Sequence, residues 1–238
     1  MNHLTLDHTR EERGEPGVLN GISHLHSEAD AMVIHYFSDP ISIECYDEEH
    51  KLSRFLENSG LTIPVRYHIG ELSPFLFESA VDTGLLPVIM SQRWMRASEQ
   101  YDYPISGKVW ISDPPSSMFP LIIHVKAAES QGAEKAIDFY KRLRERMMFS
   151  GRNPNRNHEL VEAAKRSHLD IKLIRKQCSR AAVRWYQDDL MLIEKLGIVG
   201  FPAFVFGREA HPRSYDHSIY YTAEQLIHEI QKRERVED

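Results

Sequence analysis

The sequence predicts an α/β protein in which a β-α-β unit is separated from a further strand and a closing helix by a long, mostly helical stretch. Three observations carry this. The run Met32-Val33-Ile34-His35-Tyr36-Phe37 is short, apolar and bounded by Ser38-Asp39-Pro40, which reads as a buried strand. A helical face and a second β-rich run follow it at the spacing a parallel crossover needs. Far downstream, Ala203 to Phe206 reads as a strand and Ala223 to Lys232 as the last helix. A chain of 238 residues can bury a large core, either as one elaborated domain or as two lobes.

Residues 1–30 hold many charges, His, Gly and Ser with little periodicity, and are expected to be a disordered tail. His24 and His26 stand one residue apart there, but no further ligand types cluster nearby, so no metal is expected. After the first strand, Leu52, Phe55 and Leu56 place a helical face between Ile43 and Glu57. Ser42 stands at its start and Asn58-Ser59-Gly60 at its end. Leu61 to Ile69 is β-rich, and Pro64 within it suggests an edge position or a bulge.

From Glu71 to Pro115 the pattern is mixed, with short apolar pieces such as Leu85-Leu86-Pro87-Val88-Ile89-Met90. Trp94 and Trp110 are expected to pack where this segment meets the rest. From Ser116 the pattern turns helical. Ala136, Tyr140, Leu143 and Met147 share a helix face that Gly151 and Asn153-Pro154 close, and His158 to Ser167 is a shorter helix. Ile171, Ile174, Cys178, Ala182, Trp185, Asp189, Leu192 and Leu196 then step by three and four, as one continuous face of a long helix capped by Gly197. The charge run Lys141-Arg142-Leu143-Arg144-Glu145-Arg146 reads as a solvated face. A polar loop follows Phe206, and Ser214 to Tyr221 is the candidate for a hairpin strand. The resulting organisation is one lobe from 31–72 and 196–232, with a mainly helical inserted lobe from 73–195.

Composition narrows the function classes. The formal net charge of −6 offers no basic footprint for nucleic acid or an anionic membrane. Two cysteines, Cys45 and Cys178, are too few for a disulfide scaffold. No apolar run approaches the roughly 20 residues of a membrane helix, and the polar N-terminal segment has no apolar signal region. A cytoplasmic, reducing location is expected, with no cofactor.

Two motifs carry the chemistry. Asp39-Pro40-Ile41-Ser42-Ile43-Glu44-Cys45 sits where the first strand runs into the first helix, and Gly200-Phe201-Pro202 precedes the strand at Ala203. Together they resemble the DsbA-type thioredoxin-fold family, with its active-site pair in the first motif and its cis-proline in the second. The resemblance implies a thioredoxin-like fold with a large helical insertion. It continues through Val125 to Gly132, Phe139 to Glu145, Ala163-Ala164-Lys165, His168-Leu169-Asp170 and Trp185 to Leu190. Within the family the chain is similar to the SpxH-type adaptors of the ClpXP protease, with the FrnE-type oxidoreductases next.

The frame departs from the family at one position. Most members read Asp-Pro-x-Cys-x-x-Cys, whereas this chain reads Asp-Pro-Ile-Ser-Ile-Glu-Cys. A helix N-terminus favours a thiolate but does little for a hydroxyl, which is far harder to ionise. From the residues alone Ser42 is an ordinary helix cap, Cys45 an inert half-buried thiol, and Cys178 a core residue. Asp189, on an apolar stripe, is expected to pair with an Arg or cap a neighbouring element; if buried, its pKa is expected to rise, which would make it a candidate base near the site. The resemblance implies that Phe201 and Pro202 form a cis-proline peptide-binding loop beside Ser42 and Cys45.

Three functions follow in order. The first is a protein-binding adaptor that delivers a client protein to a cytoplasmic ClpXP-type protease. The second is a DsbA- or FrnE-type thiol–disulfide oxidoreductase working through Cys45 alone. The third is a kappa-type glutathione transferase or isomerase in which Ser42 holds the glutathione thiolate.

Overall fold

The computed structural model describes residues 32–71, 86–208 and 218–237. The expected tail with His24 and His26 lies outside the described residues, as do 72–85 and most of the loop after Arg208.

Four described strands form one sheet: β1 (Met32–Ser38), β2 (Val65–Ile69), β3 (Ala203–Arg208) and β4 (Ile219–Tyr220). Their order is β2-β1-β3-β4. β1 runs parallel to β2 and antiparallel to β3, with Phe37 opposite Ala203 and Ile34 opposite Phe206. The β-rich run predicted from Leu61 becomes strand only at Val65. Pro64 lacks a ladder N–H, but its carbonyl accepts from Ile34 N at 2.9 Å and so starts the pairing. The hairpin strand expected at 214–221 is described only as the short β4.

The crossover between β1 and β2 is helix α1 (Ile43–Ser59), which ends at Gly60 with φ +71°, a left-handed value that glycine takes without strain. The closing helix, α9 (Ala223–Glu237), runs five residues beyond the predicted end. Its first turn is tied to α1, because Glu48 Oε2 accepts from Ala223 N at 2.5 Å. Strand alternation then divides β1. Ile34 and Tyr36 pack with Leu52, Phe204 and Leu226 on the α1/α9 side. Phe37 packs with Val205, Ile193 and Ile198 on the other.

The helical stretch comprises α2 (Leu86–Tyr101), α3 (Lys108–Ser112), α4 (Phe119–Ala128), α5 (Ala133–Ser150), α6 (Asn157–Arg166), α7 (Ile171–Gln177) and α8 (Arg180–Leu196). The mixed segment from Glu71 therefore contains a full helix. Leu86, Met90, Trp94 and Ala97 form its buried stripe. Trp94 meets Trp110 edge-to-face at 5.4 Å, and both are fully buried.

The single long helix predicted over 171–196 is two helices. Cys178 leaves helical geometry with ψ 61°, and the Ser179 hydroxyl accepts from Ala181 N, restarting the helix as its cap. The steps of three and four persist across the break, so periodicity alone did not reveal it.

The charge run on α5 is solvated only in part: Glu145 is exposed and Lys141, Arg142 and Arg146 are partly so, but Arg144 is not. Arg144 is 1% exposed. Its guanidinium lies between the rings of Tyr46 (5.0 Å) and Tyr140 (4.9 Å) and bonds Glu49 Oε2 at 2.5 Å. Lys141 pairs with the other Glu49 oxygen at 2.9 Å, and Arg146 pairs with Glu159. In exchange for water Glu49 gains Arg144, Lys141 and the Tyr67 hydroxyl, while Arg144 gains one hydrogen bond to Glu49 and the two ring faces. The Arg144–Glu49 pair fastens α5 to α1.

Candidate functional site

The corner after β1 is built by short-range hydrogen bonds. Asp39 Oδ1 accepts from Ile41 N at 2.9 Å, which turns the chain toward α1. Ser42 caps α1: its oxygen accepts from Cys45 N at 3.1 Å and its proton goes to Glu44 Oε2 at 2.9 Å. Glu44 is also held by Arg93 at 3.3 Å. Burial acts to raise the Glu44 carboxyl, but its own backbone amide, Ser42 and Arg93 outweigh this and hold it below the ordinary value. It is therefore an acceptor for the serine. Ser42 is half-buried, and both of its hydrogen-bonding capacities are in use.

Cys45 is 0% exposed, deeper than the half-buried thiol expected. Its carbonyl accepts from Tyr36 Oη at 2.6 Å, which anchors the first turn of α1 to the sheet. Burial pushes the thiol up to about 12; the Ser42 hydroxyl and the Asp39 amide, 3.5 Å from Sγ, pull the other way without offsetting it. The thiolate is the nucleophile, so a thiol held this high is chemically quiet at neutral pH. Cys178, at the end of α7, is partly buried with Sγ 4.0 Å from the Ile123 carbonyl, and burial raises its thiol as well.

The Phe201–Pro202 peptide bond is cis. Pro202 is buried one residue before the Phe37–Ala203 pair, at the end of β1 from which the Ser42 corner departs. The Phe201 ring lies against Gly70 at the end of β2. A Cβ on Gly70 would stand 2.8 Å from that ring, so this close approach requires glycine.

Asp189 stands apart from this corner, among side chains on the other face of the sheet. It is buried and doubly paired: Oδ1 with His68 Nδ1 at 2.8 Å, Oδ2 with Lys126 Nζ at 2.6 Å. The pairing comes from a lysine and a histidine rather than an arginine. The rise in pKa expected for a buried Asp189 does not occur. Burial favours it, but the His68 hydrogen bond and the Lys126 charge win, and the carboxyl lies below its ordinary range.

The network extends in both directions. Lys126 also bonds Glu129 Oε1 at 2.8 Å, and His68 Nε2 lies 2.9 Å from His35 Nδ1. Burial first, then the neighbouring His68 and Arg66, lower His35 to about 4, so it is neutral at pH 7. These groups line a cavity of about 520 Å³ between β2 and helices α4, α5 and α8. Sequence reading singled out Asp189 but not the other four polar residues. They come from three separate segments; only Lys126 and Glu129, an i,i+3 pair, are linked by spacing.

No cluster of potential metal ligands occurs among the described residues. No described helix is long and apolar enough to cross a membrane.

A family model described as thioredoxin matches residues 35–221. The ClpXP adapter protein SpxH of Halalkalibacterium halodurans is 26% identical over 197 residues, 78% of this chain and 64% of the relative. That of Bacillus subtilis is 24% identical over 207 residues, covering 83% and 67%. The chain thus spans about two thirds of the length of these curated relatives. Among solved structures, the cytosolic disulfide reductase DsbM from Pseudomonas aeruginosa superposes with a TM-score of 0.62 at 19% identity, over 86% of this chain and 99% of that one. This last likeness concerns the fold.

Proposed function

This chain belongs to the thioredoxin family, and we propose that within it the protein acts as a non-catalytic binding adaptor that presents a client protein to a ClpXP-type protease in the cytoplasm. The observation that carries this reading is the state of the Ser42–Cys45 corner. Ser42 replaces the family's first cysteine and is spent as a helix cap, while Cys45 is fully buried with its thiol pushed up to about 12. A redox role needs an accessible thiolate, and a glutathione-holding serine needs a hydroxyl proton that Glu44 already takes. Binding needs neither. The similarity to SpxH proteins supplies the kind of partner.

The test compares immobilised wild type with Cys45→Ala. Proteins captured from a native extract are returned to purified ClpXP with and without the adaptor. Equal capture by both forms, and proteolysis that depends on the adaptor, are the expected results. Loss of capture and turnover in Cys45→Ala, with an unchanged circular dichroism spectrum, reverses the conclusion in favour of thiol chemistry.

A further inference from the structure

The helical stretch carries a charge pattern that the Ser42–Cys45 corner does not use. Between Ile171 and Gln187 there is no Asp or Glu, yet Lys172, Arg175, Lys176, Arg180 and Arg184 all fall there, in a chain of formal net charge −6. All five are exposed. Lys172 and Lys176 stand one turn apart on α7, opposite the buried Ile174. Arg180 and Arg184 stand one turn apart on α8, opposite the buried Ala182 and Tyr186. Arg175 lies at the junction of the two helices. Its guanidinium bonds Asn157 Oδ1, and its charge opposes the burial that raises the Cys178 thiol there.

None of the five meets a carboxylate among the described residues. Nearby cations do: Arg142 holds Asp138, Arg156 holds Asp113 and Arg166 holds Glu162. The flanking carboxylates do not serve the five. Asp170 caps α7, accepting from Lys172 N at 2.8 Å and Leu173 N at 3.4 Å. Asp188, one turn after Arg184, forms no ion pair with it. Helix stability accounts for only part of the arrangement. Arg175 and Lys176 suit the last turn of α7, but Lys172 and Arg180 stand in first turns, where the macrodipole disfavours a cation. Leu173 and Trp185, each 37% exposed, put apolar surface beside the charges.

We propose that the exposed face of α7 and the N-terminal half of α8 docks an acidic segment of a partner protein, its carboxylates against the five cations and an apolar side chain against Trp185. A short peptide suits this face better than other polyanions do. From Lys172 to Arg184 the helices span at most ~20 Å, the reach of about six extended residues. A nucleic acid or an anionic membrane extends beyond that, over a surface whose remaining charge is negative, and is repelled there. Such docking does not require delivery to a protease.

The probes are the fluorescein-labelled, capped peptides Glu-Asp-Leu-Glu-Asp-Glu and Gln-Asn-Leu-Gln-Asn-Gln, a labelled short oligothymidylate and labelled phosphatidylglycerol vesicles. Each is titrated with the full chain at pH 7 and about 0.1 M salt, and binding is read by fluorescence anisotropy, or by co-sedimentation for the vesicles. The acidic peptide binds saturably below about 1 mM and its amide counterpart does not. Arg180→Glu with Arg184→Glu weakens it about tenfold or more, since two attractions become two repulsions. Lys172→Gln with Lys176→Gln repeats the test on α7 and weakens it about threefold. Arg54→Glu with Arg96→Glu, an equal change of charge at exposed positions on α1 and α2, weakens it less than about threefold. A carboxylate in the first turn of α8 suits the macrodipole, so the α8 variant melts no earlier than wild type and its loss of binding is not a loss of fold. Absence of saturable binding, equal binding of the two peptides, or equal weakening by the α8 and the α1/α2 variants overturns the proposal. So does oligothymidylate or vesicle binding that is tighter than the peptide's and abolished by the α8 variant, which assigns the face to that polyanion instead.

Discussion

Ser42 Oγ accepts the backbone N–H of Cys45 at 3.1 Å. Ser42 is thereby the cap of the turn that carries Cys45. Removing the cap frees a helix N–H. Ser42→Ala should cost about 1 kcal/mol of unfolding free energy, within the 0.5–2 range for such caps. Urea denaturation followed by circular dichroism measures this. A change near zero would mean that water replaces the cap without loss.

The thiol itself should be slow to react. Raised from 9.0 to about 12 and fully buried, Cys45 holds roughly a thousandfold less thiolate near pH 8 than a free cysteine. Native alkylation with iodoacetamide, read by peptide mass spectrometry, should therefore mark Cys178 before Cys45, and both only after unfolding in urea. Insulin reduction by the wild type should stay at background. Ser42→Cys should raise it, because a thiol at the cap of α1 gains from the helix N-terminus and has Cys45 three residues on as its resolving partner. Brisk wild-type turnover would contradict the burial argument.

The Arg144–Glu49 pair predicts a large loss for the single change and a smaller one for the double. Arg144→Met leaves Glu49 with Lys141 as its remaining cation in the core and should cost about 3–5 kcal/mol. Replacing both, Arg144→Met with Glu49→Leu, should recover much of that loss, since no unpaired charge remains buried. Thermal unfolding of the single and double variants decides it. Equal destabilisation by both would show that the Tyr46 and Tyr140 contacts, rather than charge, dominate.

His35 links stability to pH. Its folded value is lowered from 6.5 to about 4, so between those limits the unfolded chain binds a proton that the folded chain refuses. Stability is complete above about pH 6.5 and falls as pH drops toward 4, by at most about 3 kcal/mol from this residue. His35→Gln keeps a hydrogen-bonding group beside His68 and should flatten that part of the curve. Chemical denaturation at pH 7, 6, 5 and 4.5 tests it. Parallel curves for variant and wild type would refute the assignment.

The sequence conveyed what depends on local spacing. The buried run at β1, the cap at Ser42, the glycine stops at Gly60 and Gly197, and the stripe of α5 are each set by neighbours within a few residues. It conveyed less where two local patterns compete. Ser179 interrupts a helix whose apolar steps run straight through it, and Pro87 in the first turn of α2 disguised a stripe that includes Trp94. It was silent where the cause is tertiary. Arg144 looks like any residue of a charged surface until Glu49, Tyr46 and Tyr140 surround it. The His35–His68–Asp189–Lys126–Glu129 network joins β1, β2, α8, α4 and the turn after α4, so no window of sequence contains it.

The position of β1 between β2 and β3 has a consequence for how the protein is made. Its parallel partner leaves the ribosome soon after it, but its antiparallel partner waits for the whole helical stretch. From Ser38 to Ala203, at ordinary elongation rates, that is roughly ten to thirty seconds of translation. Through that interval β1 and β2 are the described strands available, a two-stranded ribbon that is marginal on its own, with the β3 side of β1 unpaired. Synthesis, rather than the finished protein, is then the stage most exposed to mispairing, and a chaperone acting on this chain has its target in that bare strand.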